Sequence, residues 1–455
     1  MKTIIEPSRS IPVINEVDIV VVGGGCTGVF AAIRAARLGA KVAIIEASNA
    51  FGGVATNAFV CVWHTLCDMT FNKQIIGGLT EEVIERMKKI PHGIKITLPK
   101  DEEKHIFRPI TYTNYHLNTE ELKIELDQML MDAGVIPYLH TMYTAPYVNN
   151  GELCGVIIEN RSGRSAILAK QFIDASADGY LGADMGMEVY RHESIQPATT
   201  AARIYGWDKL TDVNTTLNKH QDRIGCRPGW DDSLSDIPNI RTWFKSNISL
   251  DCSDADTLTV AEIRGRAQLR RMLEILREED PGADDLALIA LSSSIGIRET
   301  RQLKCSYQTT VDDICYGRKF DDAIAYCAYP VDIHHQHMQT SYRFLDGTEE
   351  IVAPGKEKQL VRWREETENL PTYWQLPYRS MLPENIPNLL ICGRAIDTDK
   401  SAFGAARVMI SLNQTGEAAG VAAYEALTSD RTVQNIDFKA MRNKMKSGGS
   451  IVFDY

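Results

Sequence analysis

The sequence predicts an α/β protein with a central parallel sheet and a β-meander, together with a second domain of α+β type. The β-branched run Ile19 to Val22 has the length of a strand buried on both faces, and a glycine turn and a helical pattern follow it. The runs Gln171 to Asp174 and Asn388 to Arg394 have the same character. Alternation of such strands with helices is typical of parallel sheets, so we expect all three runs in one sheet.

The turn after the first strand contains the pattern Gly23-x-Gly25-x-x-Gly28. Gly23 permits a tight turn, Gly25 lets the backbone approach a pyrophosphate, and Gly28 allows the next helix to pack on the strand. The N-terminus of that helix carries about half a positive charge and unpaired N–H groups, which favour phosphates. The strand, turn and helix therefore predict a Rossmann-like unit that binds a dinucleotide containing ADP.

An acidic residue, Glu46, follows the second strand of this unit, about twenty residues after the glycines. A carboxylate there accepts hydrogen bonds from a ribose diol and argues against NADP. The helix between the two strands keeps one face small with Ala32, Ala35 and Ala36. These residues support a dinucleotide site, and they leave open which dinucleotide binds.

Composition limits the classes of function. The chain has 455 residues, of which 44% are hydrophobic, and a net charge of −11, so we expect two packed globular domains and no general binding to nucleic acid. No apolar run is long enough to span a membrane, and charges and prolines interrupt the N-terminus, so we expect a cytoplasmic protein without a membrane partner. Ten cysteines without a C-x-x-C pattern, including Cys61 and Cys67, indicate plain thiols.

The middle of the chain first continues the α/β pattern. A helix is expected from Glu120 to Ala133 and a strand from Val135 to Thr141. An antiparallel meander follows, with its strands at Tyr143 to Val148, Leu153 to Glu159 and Ser165 to Leu168. From about Trp207 the pattern becomes polar, with a helix at Leu258 to Arg277 and then a stretch rich in histidine and charge up to Trp374.

The last part of the chain returns to the first domain. We expect a long helix opened by Gly404, Ala405 and Ala406, with a small face at Gly416 and Gly420. A reduced isoalloxazine is negative near its pyrimidine edge, so a positive helix end there favours reduction. A contiguous NAD domain needs no such distant segment. Together with the small-residue loop at 52–53, this segment points to FAD.

The chain resembles FAD-dependent oxidoreductases of the glutathione reductase structural class, and within them a bacterial group of largely unassigned substrate. Four segments carry the resemblance: residues 17–57, Phe172 to Gly179, Gly296 to Arg301, and Leu376 to Gly420. Related chains usually have Thr-Gly in place of Ser176-Ala177, and an acid often stands in place of Arg394.

The resemblance implies FAD contacts for particular residues. Around the pyrophosphate it places Gly23, Gly25, Cys26, Thr27 and Gly28, with Glu46 on the adenosine ribose. Beneath the flavin side it places Gly52, Gly53, Val54, Ala55 and Thr56. In the return segment it places Gly393 and Arg394 at the ribityl and phosphate region, and Arg407 and Val408 at the flavin.

Candidate catalytic residues lie outside the glycine motifs. Arg298 could clamp a carboxylate or oxyanion of a substrate, or could pair with acids that tie the domains together. His334, with Asp332 two residues before it on a strand, resembles a base and its orienting acid. His64 is a second candidate base and His116 a third.

The histidines at 334, 335 and 337 also allow a metal site, although no partner set for one is evident and we expect no metal. No sequence motif indicates a covalent link between the flavin and a histidine or cysteine.

Residues 1–60, 106–205 and 371–455 are expected to form a discontinuous FAD-binding domain, and 61–105 and 206–370 a substrate domain. The function expected is hydride transfer between a small organic substrate and the flavin, with an electron acceptor that the sequence does not identify. A structural or redox-sensing flavin with a partner-binding second domain is the alternative. A pyridine-nucleotide disulfide reductase ranks last, because a redox cysteine pair and a second glycine motif are absent.

Overall fold

A computed structural model describes residues 2–98, 113–335, 339–353 and 357–453. The helices in chain order are α1 (Cys26–Arg37), α2 (Gly78–Met87), α3 (Thr119–Asp132), α4 (Tyr180–Asp184), α5 (Val213–Lys219), α6 (Gln221–Ile224), α7 (Ala255–Glu279), α8 (Val311–Cys315), α9 (Lys400–Ala406), α10 (Met409–Ser429) and α11 (Phe438–Ser447). Across those ranges, no helix has both the length and the hydropathy that crossing a bilayer requires.

The strands are short. The first twelve are β1 (Val13–Glu16), β2 (Ile19–Val22), β3 (Val42–Ile45), β4 (Val62–Trp63), β5 (Ile94–Thr97), β6 (Asn114–Leu117), β7 (Ile136–Tyr138), β8 (Met142–Asn149), β9 (Glu152–Asn160), β10 (Gly163–Leu168), β11 (Gln171–Asp174) and β12 (Val189–Tyr190). The others are β13 (Ala202–Tyr205), β14 (Trp230–Ser233), β15 (Ile240–Phe244), β16 (Ala287–Leu291), β17 (Gln302–Leu303), β18 (Ala323–Cys327), β19 (Val331–His334), β20 (Thr340–Arg343), β21 (Thr348–Val352), β22 (Gln359–Arg362), β23 (Trp374–Pro377) and β24 (Leu389–Ile391).

A parallel sheet with the strand order β24-β11-β2-β3-β7 forms the centre of the described structure. Every residue of β2, β3, β11 and β24 is buried, as expected for strands that are covered on both faces. The three sequence runs that predicted buried parallel strands therefore lie side by side in one sheet.

The two faces of this sheet pack against different layers. Val20 and Val22 share a core cluster with residues of the meander, such as Ile158. Ile19 and Val21 instead share a cluster with residues of α1 and α10. Alternate residues of a strand point to opposite faces, so the single run β2 supplies both cores. The predicted meander is present as β8, β9 and β10, with β1 added in parallel at its edge.

The region after β12 contains sheets of its own. The antiparallel sheet β14-β15-β13-β16 shares a core cluster with α7, whose residues Leu269, Met272, Leu273 and Leu276 are buried. The sequence did not indicate the pair β18-β23 or the sheet β19-β20-β21-β22. Strands β20, β21 and β22 have mixed polar sequences, and β22 is exposed along its whole length, so these three lack the alternation that marks a strand.

The division of the chain into two domains remains a prediction. The boundary expected between residues 105 and 106 lies outside the described residues. Strands β4 and β5 precede that gap, and both of them pair with β6, which follows it. Strand β13 pairs with β15 and β16, so its residues belong to the same sheet as the segment that follows.

Helices α1 and α10 run parallel and pack through glycine. A Cβ atom on Gly416 would lie 2.1 Å from the carbonyl oxygen of Thr27, and one on Gly420 would lie 2.3 Å from that of Ala31. Both distances are too short for any side chain, so the backbones of the two helices touch directly. The small face predicted for the C-terminal helix thus packs on the helix that follows the glycine turn.

One prediction about the return segment is wrong. Gly404, Ala405 and Ala406 do not open the long helix; they are the last residues of the separate helix α9. The side chain of Asp399 accepts hydrogen bonds from the backbone amides of Ser401 and Ala402, so helical structure already begins there. The chain then becomes extended at Val408 before α10 begins.

The contact between α1 and α10 predicts a loss of stability on a small change. In Gly420→Ala, the added methyl group collides with the backbone of Ala31, and we expect about 1–3 kcal/mol of destabilisation. Thr428→Ala, at an exposed position of the same helix, is the control and should change stability by less than about 0.5 kcal/mol. Urea denaturation measures both, and equal stabilities would contradict the close packing.

Candidate functional site

The three glycines of the turn have different surroundings. Gly23 has a φ of +103°, and a Cβ atom there would lie 2.4 Å from the carbonyl oxygen of Ala175. A Cβ atom on Gly28 would lie 1.9 Å from the carbonyl oxygen of Gly23. A Cβ atom on Gly25 would meet nothing within 4 Å. The first and last glycines are therefore needed for folding, whereas Gly25 presents bare backbone to open space, as a pyrophosphate site requires.

The N-terminus of α1 has no competing partner from its own side chains. Gly25 is the N-cap residue, it provides no side-chain hydrogen bond, and the first turn contains no acidic residue. The thiol of Cys26 contacts the carbonyl oxygen of Gly52 at 3.5 Å, and burial raises the pKa of this thiol to about 12. Cys26 thus stays protonated at neutral pH, and the backbone amides of the first turn can bind an anion.

Glu46 lies directly beside the glycine turn. One carboxylate oxygen accepts a hydrogen bond from the backbone amide of Gly24 at 2.8 Å, and the other accepts one from the amide of Ser48 at 2.8 Å. The two amides fix the orientation of the half-buried carboxylate. Each oxygen retains a lone pair, so this geometry fits the predicted ribose contact.

The loop with two adjacent glycines packs against the glycine turn. Gly52 pairs with Gly25 in a parallel bridge, and its amide donates to the carbonyl oxygen of Gly24 at 2.8 Å. Gly53 has a φ of +56°, and a Cβ atom there would lie 3.0 Å from the Cα of Gly25. Residues Gly53–Ala55 form one turn of 3₁₀-helix. The hydroxyl of the next residue, Thr56, donates a hydrogen bond to the carbonyl oxygen of Phe51. The two predicted cofactor segments are therefore in contact.

The return strand also reaches the glycine turn. Gly393 has a φ of +74°, and a Cβ atom there would lie 3.5 Å from the Thr27 side chain. The amide of Gly393 donates to the Thr415 hydroxyl at 3.2 Å. The return strand is thus followed by a glycine that lies against the N-terminus of α1.

Arg394 is held by protein groups. Its guanidinium donates to Oδ1 of Asp178 at 2.8 Å and to the carbonyl oxygen of Ile297. The Thr300 hydroxyl donates to the same Asp178 oxygen at 2.6 Å, and Nε of Arg301 donates to the Asp178 carbonyl oxygen at 2.6 Å. Three of the segments that carry the family resemblance therefore meet at Asp178.

The departure at Ser176-Ala177 has a structural consequence. Ala177 has a φ of +69°, in the left-handed region that favours glycine. The Ser176 hydroxyl donates to Asp174 at 2.6 Å and accepts from the amide of Tyr180 at 3.1 Å, which holds the turn in place. This turn thus holds an alanine in a strained left-handed conformation.

A second set of candidate residues surrounds a buried carboxylate. We call it the Asp332 cluster; its members are His64, Arg298, Tyr329, Asp332, His334, Tyr342 and Arg407. Asp332 is its centre: one oxygen accepts from the Arg407 guanidinium at 2.9 Å and from the Tyr329 hydroxyl at 3.2 Å. The other oxygen lies 3.3 Å from Nε2 of His334. Asp332 and His334 therefore lie close together, without a hydrogen bond between them.

His64 joins this cluster from a different part of the chain. Its ring stacks on Tyr329 with centroids 4.4 Å apart. Nδ1 lies 3.0 Å from the amide oxygen of Asn114, which can only accept, so Nδ1 carries the proton and Nε2 keeps its lone pair. Burial lowers the pKa of His64 to about 4. His64 is therefore neutral at pH 7.

Burial and the neighbouring charges shift the pKa values of the cluster's residues in opposite directions. Burial would raise the pKa of Asp332, but the His334 ring and the guanidinium groups of Arg407 and Arg298 hold that pKa well below its usual range. Burial lowers the pKa of His334 despite the nearby carboxylate. Burial and the neighbouring Arg407 lower the pKa of Arg298 to about 10, so Arg298 stays charged at pH 7.

The Asp332 cluster lies at the start of α10. Arg407 and Val408 form the break between α9 and α10, and Gly416 of α10 packs on Thr27 beside the glycine turn. At 1.5 Å per residue, this break lies about 12 Å along the helix axis from that contact. The cluster and the glycine turn are thus linked by the first two turns of α10.

Sequence reasoning missed several members of the network around this site. Tyr329 and Tyr342 gave no local signal, because their partners are distant in sequence. The side-chain oxygen of Gln196 accepts from the backbone amide of His334 at 3.2 Å, and the backbone amide of Gln196 donates to Glu299 at 2.9 Å. Glu299 in turn lies 2.6 Å from Nδ1 of His192. Glu299 therefore pairs with a histidine, and neither Arg298 nor Arg301 is bonded to it among the described residues.

The other predicted histidines lie elsewhere. His116 bonds to Asp232 at 2.6 Å and to the Thr97 hydroxyl at 2.9 Å. His335 bonds to the Ser341 hydroxyl at 2.9 Å, and His337 lies outside the described residues. In the described part of the chain, no group of three or more histidine, cysteine or acidic residues is arranged to hold a metal ion, and the cysteines are free thiols.

The fold and the glycine turn define an α/β protein with a dinucleotide site. The sequence profile of the FAD dependent oxidoreductase family matches residues 18–445, so the chain belongs to that family and its cofactor is FAD. A stretch of 49 residues is 51% identical to dihydrolipoyl dehydrogenase from Trypanosoma brucei brucei, which is 11% of this chain and only 10% of that relative.

Solved structures with similar folds are distant in sequence. A geranylgeranyl bacteriochlorophyll reductase-like protein from Thermoplasma acidophilum is 12% identical, with a TM-score of 0.47 over 95% of this chain and 83% of that one. The flavin-dependent brominase Bmp2 is 12% identical, with a TM-score of 0.46 over 94% of this chain and 83% of that one.

A matched pair of glycine substitutions separates folding from cofactor binding. Gly25→Ala adds a methyl group in open space, so we expect stability within about 1 kcal/mol of wild type and a large loss of bound FAD. Gly28→Ala drives a methyl group into the Gly23 carbonyl and should destabilise the fold itself. Flavin absorbance per chain and urea denaturation measure the two effects. Full FAD content in Gly25→Ala would contradict a pyrophosphate at this turn.

The lowered pKa of His64 predicts a pH dependence of stability. The unfolded chain takes up a proton at this histidine near pH 6.5, whereas the folded chain does so only near pH 4. Between these values the unfolded state binds more protons, so stability falls as the pH falls. We expect His64→Asn to make that decline shallower in thermal denaturation from about pH 7 to about pH 4.5. The control is His140→Asn, at an exposed position. If stability depended on pH in His64→Asn as it does in the wild type, the lowered pKa of His64 would be contradicted.

Proposed function

We propose that this protein transfers a hydride between a small organic substrate and FAD in a site formed by the Asp332 cluster. Three candidate side chains converge on one carboxylate. His64, Arg298 and His334 come from three distant segments, and all three surround one buried carboxylate at the start of α10. Perturbed ionisable groups gathered at one place are typical of active sites.

FAD supplies a ring that takes up or returns two electrons as a hydride. When a substrate is oxidised, the carbon gives up the hydride and the neighbouring O–H or N–H gives up a proton. We assign that proton to Nε2 of His64, which has a lone pair and lies outside the ion pairs of the cluster. The pKa of His64, about 4, keeps it unprotonated before the transfer. His334 is the second candidate, through Nδ1.

Arg407 and the N-terminus of α10 have a different role in this proposal. Val408 begins α10 without a side-chain cap, so the amides of the first turn and the helix dipole favour negative charge there. The Arg407 guanidinium, tied to Asp332 at 2.9 Å, adds a positive charge at the same place. Both features favour the electron-rich pyrimidine edge of a reduced flavin.

The cofactor contacts follow the same order along the chain. We assign the pyrophosphate to the turn Gly23–Gly28 and the adenosine ribose to Glu46. We assign the path to the flavin to residues 52–56 and Gly393. Arg394 supports this path through Asp178. The order of the parallel sheet, with a meander between β7 and β11, supports membership of the glutathione reductase structural class.

The first test is electron transfer in the purified protein. The FAD-loaded protein is photoreduced without oxygen and then mixed with candidate oxidised substrates, while flavin absorbance is followed; the oxidised protein is mixed with candidate reduced substrates in parallel. Substrate-dependent reduction or reoxidation supports an enzyme whose second domain binds a small molecule. A flavin that exchanges electrons with no candidate would instead favour a structural or redox-sensing flavin with a partner-binding second domain.

Single substitutions separate the two histidines. We expect His64→Asn to retain FAD and to lower turnover by about 10²–10⁴-fold, the usual contribution of a general base. His334→Asn should retain FAD and should lower turnover by a smaller factor than His64→Asn does. The exposed His140→Asn is the control and should turn over normally. Flavin content and kcat measure these variants, and normal turnover in His64→Asn would remove it from the reaction.

A further inference from the structure

The Asp332 cluster contains more positive than negative charge. Two guanidinium groups, those of Arg298 and Arg407, face one carboxylate. Burial lowers the pKa of His64 to about 4, so this histidine adds no charge at neutral pH. A buried positive charge without a counter-ion is costly, and the site therefore favours an anion from outside the protein.

The two arginines differ in their partners. Arg407 donates to the carboxylate of Asp332 at 2.9 Å and to the Asp332 carbonyl oxygen at 3.3 Å. Arg298 has only neutral acceptors: its Nη1 donates to the Pro197 carbonyl oxygen and to the Thr199 hydroxyl, both at 2.7 Å. The charge of Arg407 is thus paired directly, and that of Arg298 is not.

The free edge of Arg298 has the shape that a carboxylate needs. Both of its bonds use Nη1, so Nε and Nη2 have no hydrogen-bond partner among the described residues. These two nitrogens form the outer fork of a guanidinium, which binds the two oxygens of a carboxylate in parallel. The bonds of Nη1 hold the fork in place, so little side-chain freedom is lost on binding.

We infer that the substrate is an organic acid whose carboxylate binds the Nε and Nη2 edge of Arg298, next to His64 and Tyr329. This inference rests on the proposed function, because it assigns the substrate class of that same site. Arg298 orients the acid, and His64 exchanges the proton that accompanies the hydride. The stacked rings of His64 and Tyr329, 4.4 Å apart, provide an aromatic wall for the carbon skeleton.

Binding of simple acids to the FAD-loaded protein tests the inference without turnover. Acetate, propionate and benzoate are titrated against the oxidised protein while the flavin absorbance spectrum is followed, and acetamide, propionamide and benzamide serve as neutral matches. We expect at least one acid to perturb the spectrum saturably and its amide to bind at least tenfold more weakly. Equal binding of acids and amides would overturn the inference.

Two variants locate the acid. Arg298→Met removes the charge and should weaken acid binding about tenfold to a hundredfold, as loss of charged hydrogen bonds does. Arg298→Lys keeps the charge without the fork and should bind with intermediate affinity. Arg270→Met, at an exposed position of α7, is the control and should bind as wild type does. Unchanged acid affinity in Arg298→Met would overturn the assignment, and so would loss of FAD from either Arg298 variant, because Arg298 would then serve the cofactor.

The outcomes separate this inference from the proposed function. If a neutral substrate reduces the flavin and acids neither bind nor compete, hydride transfer stands and the organic-acid class is wrong. If acids bind at Arg298 and no organic acid exchanges electrons with the flavin, the carboxylate contact stands and the proposed reaction is wrong.

Discussion

The direct contact between α1 and α10 is the constraint on which the site depends. The two helices belong to opposite ends of the chain, and glycine at positions 416 and 420 lets their backbones touch. Because they run parallel, both positive ends point the same way: one towards the glycine turn and the other towards the break at Arg407. The packing of the two helices thus fixes the spacing between their positive ends.

The Asp332 carboxylate has a comparable role in the other half of the site. It contacts Arg407 from the return segment and both Tyr329 and His334 from its own part of the chain, and it faces Arg298 from the segment Gly296 to Arg301. A buried carboxylate deprived of its cation typically costs about 3–5 kcal/mol, so Arg407 stabilises this geometry as well as carrying charge. The hydrogen bonds from His334 through Gln196 to Glu299 also connect the cluster to that segment.

The sequence predicted those parts of the structure whose cause is local. The strand Ile19–Val22, the glycine turn and Glu46 are adjacent in sequence, and each residue type has one physical task there. The start of α10 was placed wrongly, because an acidic cap at Asp399 sets an earlier helix. The sequence indicates His334 beside Asp332, but not the approach of His64, Arg298 and Arg407 to this carboxylate, since that approach depends on pairing between segments that are far apart in the chain.

The origin of the clustered side chains has a consequence for exchange of parts between related proteins. Arg298 and His334 lie between β12 and β24, whereas His64 follows β4 and Arg407 follows α9. Recombination that replaces the segment between β12 and β24 as one block would exchange the first two residues and keep the other two. The Asp332 cluster is therefore not modular: a transplanted segment must be compatible with a histidine and an arginine that it does not carry.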